Sequence, residues 1–373
     1  MRLTHLVFTA VMLATGIASL PQAALAQPAR LDVERALLIG AADGDEPYLF
    51  NRISGVVRLT SGVVVVANQT SSELRWFTPS GTWVRSRGRQ GDGPGEFRGL
   101  RRIVRLPGDS LLAEDGIAAR MTLYDSSGTL IRSWSVPDAA GAVPLGRLPD
   151  GSFVALAERT IAPPPGYTRL QAALLRYREG GIRDTLTVQP GGEWYTVVCG
   201  TQSSPAVCGV GVPYGLRSLA AVAGPFVFVG NGERYELLRI DTRSGRVDTL
   251  RRTVAETPLS AERRAFFIDS IASSVPESRR AVVRQRFADA PVRQSMPYFE
   301  AIATDDRGNV WLARPQERSG TARAWDVLSS EGRFLRTVAL PAALAVHAIA
   351  DGFVIGVSRD EDGVEFVAVH RLR

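Results

Sequence analysis

The segment Gly62-Val-Val-Val-Val-Ala67 begins a pattern that recurs along the chain. Its strand-forming run opens at a glycine turn, and a second run, Leu74-Arg-Trp-Phe77, leads to another glycine turn at Gly81. Such turns form six couples, which are Gly62/Gly81, Gly108/Gly128, Gly151/Gly180, Gly224/Gly245, Gly308/Gly332 and Gly352/Gly363. Couples that no insertion separates start about 43–46 residues apart, and a fixed period of this kind indicates a repeat architecture.

The period is that of a four-stranded propeller blade, so six couples predict an all-β, six-bladed β-propeller. The ring must close, and the run Leu31–Ile39 is a suitable strand for the last blade. Two intervals are longer than the period. One carries an insertion at residues 189–215, and the other, at about 257–297, predicts a helical hairpin between blades four and five because Thr257-Pro258 is typical of a helix start.

The phrase Gly91-Asp-Gly-Pro-Gly-Glu-Phe97 follows the first couple of turns. It resembles the phrase that closes the blades of the six-bladed, NHL/TolB-like β-propeller family. The resemblance implies a propeller fold over the chain after its leader, but the family includes binding proteins and enzymes, so it implies no single function. We interpret the glycines as a tight crossing between blades with Phe97 packed there. A phosphate-binding loop is the alternative, but Pro94 removes a backbone donor and no Lys-Ser/Thr follows.

Residues 1–26 have the form of a secretory signal peptide, because a basic start and an apolar run lead to Ala24-Leu-Ala26. A membrane anchor is the alternative, although the apolar run from Leu6 to Leu20 is shorter than the ~20 residues that a spanning helix needs. We therefore expect a periplasmic or secreted protein with one propeller domain over residues 27–373.

All 44 basic residues are arginine, and the chain contains no lysine. This excludes Schiff-base chemistry and a Walker-type phosphate lysine. Residues 27–373 hold 43 basic and 38 acidic residues, a formal charge of +5. The arginines fit either the codon usage of a GC-rich genome or a surface that binds carboxylates and phosphates. An exported protein is not expected to bind nucleic acid.

Cys199 and Cys208 are the only cysteines, and export would place them in an oxidising compartment. This predicts a disulfide that closes a short loop. A metal pair or a reactive thiol is the alternative, but neither cysteine has a neighbour at ligand spacing.

In each repeat, a polar residue lies at the end of the strand that begins at the first glycine of the couple. In a propeller such positions share one rim, so they predict a polar ring for ligand binding, formed by Asn68, Glu114, Glu158, Asn231, Arg314 and Arg359. Calcium prefers oxygen ligands of this kind, but the two arginines would repel it, and polar residues also begin ordinary turns.

The sequence predicts a binding or interaction module for an envelope protein or a small anionic ligand, with no catalytic residue, metal or cofactor assigned. A metal-dependent hydrolase of the propeller lactonase type, with calcium, is the alternative, and a structural role in an envelope assembly is a third. The predicted hairpin carries seven arginines between Arg263 and Arg293, which suits either a lid for an anionic partner or a solvated helix face.

Overall fold

The valine run after Gly62 forms a strand whose residues, Val64–Asn68, are all buried. Continuous burial of this kind requires protein on both faces of the sheet, so the sheets must stack face to face. The computed structural model describes residues 30–31, 33–136, 142–158, 165–178, 181–201, 204–273, 275–316 and 322–372, without the side chains of 30–31, 197–201 and 204–208. The predicted signal peptide lies outside the described residues.

The described chain is all-β and mostly antiparallel, and its strands form six sheets. Two strands precede the first complete sheet, β1 (Arg30–Leu31) and β2 (Val33–Ile39). Sheet 1 contains β3 (Ile53–Arg58), β4 (Val64–Asn68), β5 (Glu73–Phe77) and β6 (Trp83–Arg87). Sheet 2 contains β7 (Leu100–Arg105), β8 (Leu111–Asp115), β9 (Arg120–Tyr124) and β10 (Leu130–Ser135).

Sheet 3 has five strands, β11 (Val143–Arg147), β12 (Phe153–Glu158), β13 (Gly166–Arg178), β14 (Gly181–Thr201) and β15 (Ser204–Gly211). Sheet 4 contains β16 (Leu219–Ala223), β17 (Phe226–Gly230), β18 (Glu236–Asp241) and β19 (Val247–Arg251). Two helices follow, α1 (Ala261–Ser273) and α2 (Glu277–Asp289).

Sheet 5 contains β20 (Ala301–Thr304), β21 (Val310–Ala313), β22 (Arg323–Leu328) and β23 (Phe334–Leu340), and β1 pairs parallel with β23. Sheet 6 contains β24 (Ala345–Ala350), β25 (Phe353–Arg359) and β26 (Glu365–Leu372). Its fourth strand is β2, which pairs antiparallel with β26, as predicted from the run Leu31–Ile39. Short 3₁₀ turns lie at Glu46–Tyr48 and Pro107–Asp109.

The first strand of each sheet lies next to the first strands of two other sheets. The contacts run from β3 to β7, β11, β16, β20 and β24, and β24 returns to contact β3. A separate hydrophobic cluster fills each space between neighbouring sheets, including the space between sheet 6 and sheet 1. The core is therefore divided into six parts arranged around the first strands.

The glycine turns adopt the positive φ angles that glycine tolerates better than other residues. Eleven of the twelve turn glycines have positive φ, for example 88° at Gly62, and Gly180 lies outside the described residues. Gly363 differs in position from its counterparts, because it joins β25 to β26 rather than a third strand to a fourth. The reason is that the fourth strand of sheet 6 comes from the N-terminus, so this sheet has no turn after its third strand.

The segment expected as an insertion at residues 189–215 is an extension of sheet 3, since β14 and β15 pair along their length. Their register sets Cys199 opposite Ala206 and Cys208 opposite Val197. The cysteines are therefore diagonal neighbours, and Cα atoms in such positions are about 7–8 Å apart, beyond the usual reach of a disulfide. No disulfide is shown, and the side chains of both cysteines lie outside the described residues, so the bond stays a prediction.

Candidate binding site in the central cavity

A cavity of about 1,380 Å³ lies between the first strands of the six sheets. Each of these strands contributes to its wall, with Val57 of β3, Ile103 of β7, Leu145 of β11, Val222 of β16, Ala303 of β20 and Ile349 of β24. The turns that follow these strands, at Gly108, Gly224 and Gly308 among others, line one end of the cavity. We call this end the turn mouth.

Irregular pairing near the start of four first strands directs particular side chains into the cavity. The register shifts between Ile53 and Gly55, Leu100 and Arg102, Pro144 and Gly146, and Val346 and Ala348. The residues inside these bulges all line the cavity, and they are Ser54, Arg101, Leu145 and His347. A β-bulge commonly redirects a side chain in this way next to a functional site.

The charged side chains of the wall are mostly arginines. Six arginines line the cavity, which are Arg58, Arg101, Arg102, Arg105, Arg147 and Arg307. The carboxylates of the wall are Asp109, Glu114, Asp305 and Asp306. With His347 neutral, the described wall is therefore positive, which favours an anion in the cavity.

At the turn mouth, ion pairs connect three sheets. Arg105 Nε lies 2.7 Å from Asp109 Oδ1, and its Nη1 lies 3.1 Å from Asp351 Oδ2. Asp351 also lies 3.7 Å from Arg58 Nη1. Thr60 donates a backbone hydrogen bond of 3.0 Å to Asp109. These partners neutralise Arg58 and Arg105, so the two arginines connect sheets 1, 2 and 6 more than they attract a ligand.

Arg102 is different, because it makes no hydrogen bond or ion pair with any described residue. It lies in β7 opposite Glu114 of β8, and both line the cavity. Burial lowers the pKa of Arg102, Arg101 acts in the same direction, and Glu114 acts against them. A guanidinium stays protonated in proteins and offers five donors, so Arg102 presents a positive charge and unpaired donors to the cavity.

Glu114 is the buried acid of this wall, with only 4% of its surface exposed. Its Oε1 lies 3.7 Å from Arg101 Nη1, and its Oε2 has no hydrogen-bond partner. Burial raises the pKa of Glu114 to about 7, although Arg101 and Arg102 both lower it. A carboxyl group in this state exchanges its proton near neutral pH.

His347 completes the inner part of the wall. Burial lowers the pKa of His347 to about 4, and the charge of Arg102 contributes in the same direction. Its imidazole is therefore neutral at pH 7, so one ring nitrogen donates a hydrogen bond and the other accepts one. The cavity thus combines a permanent cation, a titrating acid and a neutral imidazole.

Of the six residues predicted to form a polar ring, only Glu114 lies on the described cavity wall. Asn68 Oδ1 accepts a hydrogen bond of 3.1 Å from the backbone of Asn51, and Asn231 Oδ1 accepts one of 3.0 Å from Glu233. The other three have partners in other strands, in the pairs Glu158 with Gly192 backbone N, Arg314 with Asp326, and Arg359 with Glu365. The second strand of each sheet lies behind the first strand, and of these six residues only Glu114 extends to the described wall.

The wall does not fit the calcium site that the lactonase alternative requires. Among the described residues, no three His, Cys, Asp or Glu side chains are grouped closely enough to hold a metal ion. The acid nearest to such a role, Glu114, faces two guanidinium groups, which disfavour a cation.

The glycine phrase after sheet 1 serves the packing between sheets. Phe97 is fully buried in the cluster between sheets 1 and 2, as predicted. Its neighbour Glu96 occupies the turn of the loop, where its Oε2 accepts a hydrogen bond of 2.8 Å from the backbone of Gly93. Arg89 donates a hydrogen bond of 2.6 Å to Oε1 of the same carboxylate. The loop therefore binds the carboxylate of its own residue Glu96.

The two helices pack beside sheets 3 and 4 and contribute no described residue to the central cavity. Phe267 of α1 contacts Tyr214 and Phe287 of α2, with ring centroids 5.2 Å and 5.8 Å away. Arg293, after α2, lies 3.0 Å from Glu193 of β14. A second cavity of about 910 Å³, lined by Phe266 and Phe299 among others, separates α1 from sheets 4 and 5. The helices thus do not form the wall of the central cavity.

No family model matches this chain, and no curated protein sequence matches it. The fold is propeller-like. A Bacteroides fragilis protein described as exported aligns with a TM-score of 0.52 and 12% identity over 92% of this chain and 95% of its own. A DUF4221 family member from Bacteroides vulgatus gives a TM-score of 0.51 and 10% identity over 92% and 98%. Virginiamycin B lyase from Staphylococcus aureus aligns less well, with a TM-score of 0.44 and 11% identity over 92% and 100%.

At these identities the similarity shows the fold alone. No helix among the described residues is both long and apolar enough to span a membrane.

Proposed function

We propose that this protein is an exported six-bladed β-propeller that binds a small anion in its central cavity. Six sheets with six hydrophobic clusters between them support the blade number, and the contact of β24 with β3 supports a closed ring. The basic, apolar and Ala-x-Ala parts of residues 1–26 support export. The helices at 261–289 are then an insertion between blades four and five.

The observation that carries the proposal is Arg102. Its guanidinium faces a cavity lined by all six sheets, and no described residue accepts a hydrogen bond from it. The guanidinium of Arg102 is only half-buried and has no partner among the described residues, so its donors are open to a group that comes from solution. Oxyanions match the planar donors of arginine, which makes a carboxylate, sulfate or phosphate group the best fit.

Calorimetric titration with sulfate at pH 6 tests this proposal. The substitution Arg102→Gln removes the charge and the bidentate donors, so we expect sulfate affinity to fall by roughly 10–100-fold, as for the loss of a charge-assisted hydrogen bond. Arg246→Gln is the matched control, because Arg246 is 74% exposed on sheet 4 and lies outside the cavity wall. Equal binding by wild type and Arg102→Gln, or no binding by the wild type, would contradict the proposal.

A further inference from the structure

The carboxyl group of Glu114 is close to the same ligand position as Arg102. The two residues are directly paired across β7 and β8, and both belong to the cavity wall. Arg101, in the neighbouring bulge, approaches one carboxyl oxygen of Glu114 at 3.7 Å, while the other oxygen has no partner at all. We propose, on the basis of the proposed anion site, that Glu114 determines its specificity: as a neutral acid it donates a hydrogen bond to the oxyanion that Arg102 binds.

The surroundings of Glu114 favour the protonated, neutral form of its carboxyl group near neutral pH. From β7 it faces Arg101 and Arg102, and from its own strand Asp115, whose charge opposes ionisation. Tyr177 of β13 is uncharged, and its hydroxyl is buried without a partner. The residue opposite Glu114 in β9 is Met121. Burial outweighs the two guanidiniums and holds the pKa of Glu114 near 7, so the proton is easily gained.

The neighbouring carboxylate does not compete for this role. Asp115 is fully buried, and it accepts backbone hydrogen bonds from Arg98 at 2.7 Å and from Ala118 at 2.9 Å. Its oxygens are therefore already satisfied by the segment before β7 and by the turn between β8 and β9. Glu114 alone of the pair retains an oxygen that a proton and a ligand can use.

An anion beside Arg102 changes the balance further. It takes up the positive charge that stabilises ionised Glu114, and it adds a negative charge next to the carboxylate, so both effects favour protonation. The acid can then turn about its terminal bond, a broad torsion, and donate its hydrogen to a ligand oxygen. The ligand class is thus an oxyanion bound together with one proton.

The pH dependence follows from this linkage. Below about pH 7 the free protein already carries the proton, and binding is strongest; above it, binding must take up a proton from solution. His347 does not obscure the effect, because its pKa is near 4 and it stays neutral between pH 6 and pH 8.5. We expect sulfate affinity to be about tenfold lower at pH 8 than at pH 6, as for the binding of one proton.

The experiment is calorimetric titration with sulfate and with tartrate, two oxyanions that do not themselves titrate in this range. At pH 8, in HEPES and in Tris, the difference in observed heat gives the protons taken up, and we expect close to one per anion. Glu114→Gln should bind within about threefold of wild type at pH 6, because its amide also donates a hydrogen bond, but with no uptake and no pH dependence. Glu236→Gln is the matched control, because Glu236 lies in β18 outside the cavity wall, and it should keep the wild-type behaviour.

The outcomes separate the two proposals. If the wild type binds sulfate without proton uptake and Arg102→Gln loses this binding, the role of Glu114 is overturned and the anion site stands. Absence of binding at both pH values would overturn the anion site and the role of Glu114 together. The uptake measurement uses the wild-type protein, so it does not depend on the folding of a variant.

Discussion

Glu114 and Arg102 show how one environment acts differently on two charges. Both lie in the same wall, and burial works against the charged form of each. The guanidinium keeps its charge because its ordinary pKa is far above neutrality, whereas the carboxyl group reaches a pKa of about 7. The result is one fixed charge and one that depends on pH.

The pH dependence of stability gives a test of this state that needs no ligand. The pKa of Glu114 is about 7 in the folded protein and near its ordinary 4.5 when unfolded, so the folded state holds the proton more tightly. Its contribution to stability is present below pH 4.5 and is lost as the pH rises through 7, at a cost of about 3 kcal/mol. Glu114→Gln cannot lose a proton and should avoid this loss.

Urea unfolding at pH 5 and pH 8 measures the effect. The free energy of unfolding of Glu114→Gln, relative to wild type, should rise by about 2–3 kcal/mol between these pH values. Glu236→Gln should change in parallel with wild type. If the free energies of unfolding of Glu114→Gln and wild type differ by the same amount at pH 5 and pH 8, the acid is already ionised in the folded protein.

Single residues of the site were the hardest part to predict from sequence. The polar residues at the ends of the second strands are easy to recognise, but only Glu114 reaches the cavity. Arg101, Arg102 and His347 lie in first strands, whose position in the repeat was not recognised, and two of them are placed by bulges. Arg101 and Arg102 lie in the strand that precedes Gly108, the first glycine of its couple, so they could have been identified from the repeat. The position of a bulge could not, because it depends on strand pairing that a single sequence does not show.

At the scale of elements, the crossing from sheet 1 to sheet 2 is held by one aromatic side chain. Phe97 is fully buried among residues of both sheets, including Trp76 and Tyr124. Gly88 lies against it, since a Cβ there would be only 2.8 Å from the backbone oxygen of Ser72 and 3.0 Å from the Phe97 ring. The glycine phrase is thus a packing device in which small residues make room for a large one.

Phe97→Ala should remove about 3–5 kcal/mol from the free energy of unfolding, as expected for deletion of a buried aromatic ring. Trp83→Ala is the comparison, because Trp83 is 41% exposed on the outer strand β6 and should cost less than about 1 kcal/mol. Urea unfolding followed by tryptophan fluorescence, with circular dichroism for Trp83→Ala, measures both. A small loss for Phe97→Ala would mean that the crossing is held by other contacts.

Elements with a local signal were predicted well from sequence. The valine-rich second strands and the turn glycines were identified because alternation and turn chemistry are local properties. The cysteine segment was not, since nothing in residues 189–215 indicates that β14 continues through to Thr201. Strand register is set by pairing with β13 and β15, and it decides where the cysteines lie.

At the scale of the whole molecule, the N-terminal strand completes the last sheet. β2 pairs with β26 and supplies Ile39 to the hydrophobic cluster between sheets 6 and 1. The period of the repeat predicted six similar units, and the early β-rich run predicted which segment completes the last one. The shape of the cavity could not be predicted, because it depends on how all six first strands meet.

Removal of β2 should therefore affect the whole protein. A chain without residues 27–39 loses the buried Ile39, the partly buried Leu37 and the pairing of β26, which we expect to cost at least about 5 kcal/mol. A chain without residues 27–32 is the control, because among the described residues this deletion removes only the short pairing of β1 with β23. Thermal unfolding should show a large decrease for the first variant alone. A similar melting temperature for both would show that the other strands are stable without β2.

The hydrogen bond from the backbone of Ile53 to Glu365 Oε2 joins residues 312 positions apart in sequence. The ribosome makes β2 before the other five sheets and β26 after them, so the last sheet is completed only once the chain between them has been made. A nascent chain that leaves the cytoplasm during translation does so before its cavity exists. With the export proposed above, such a protein arrives empty, and it must collect its anion from the medium in which it works.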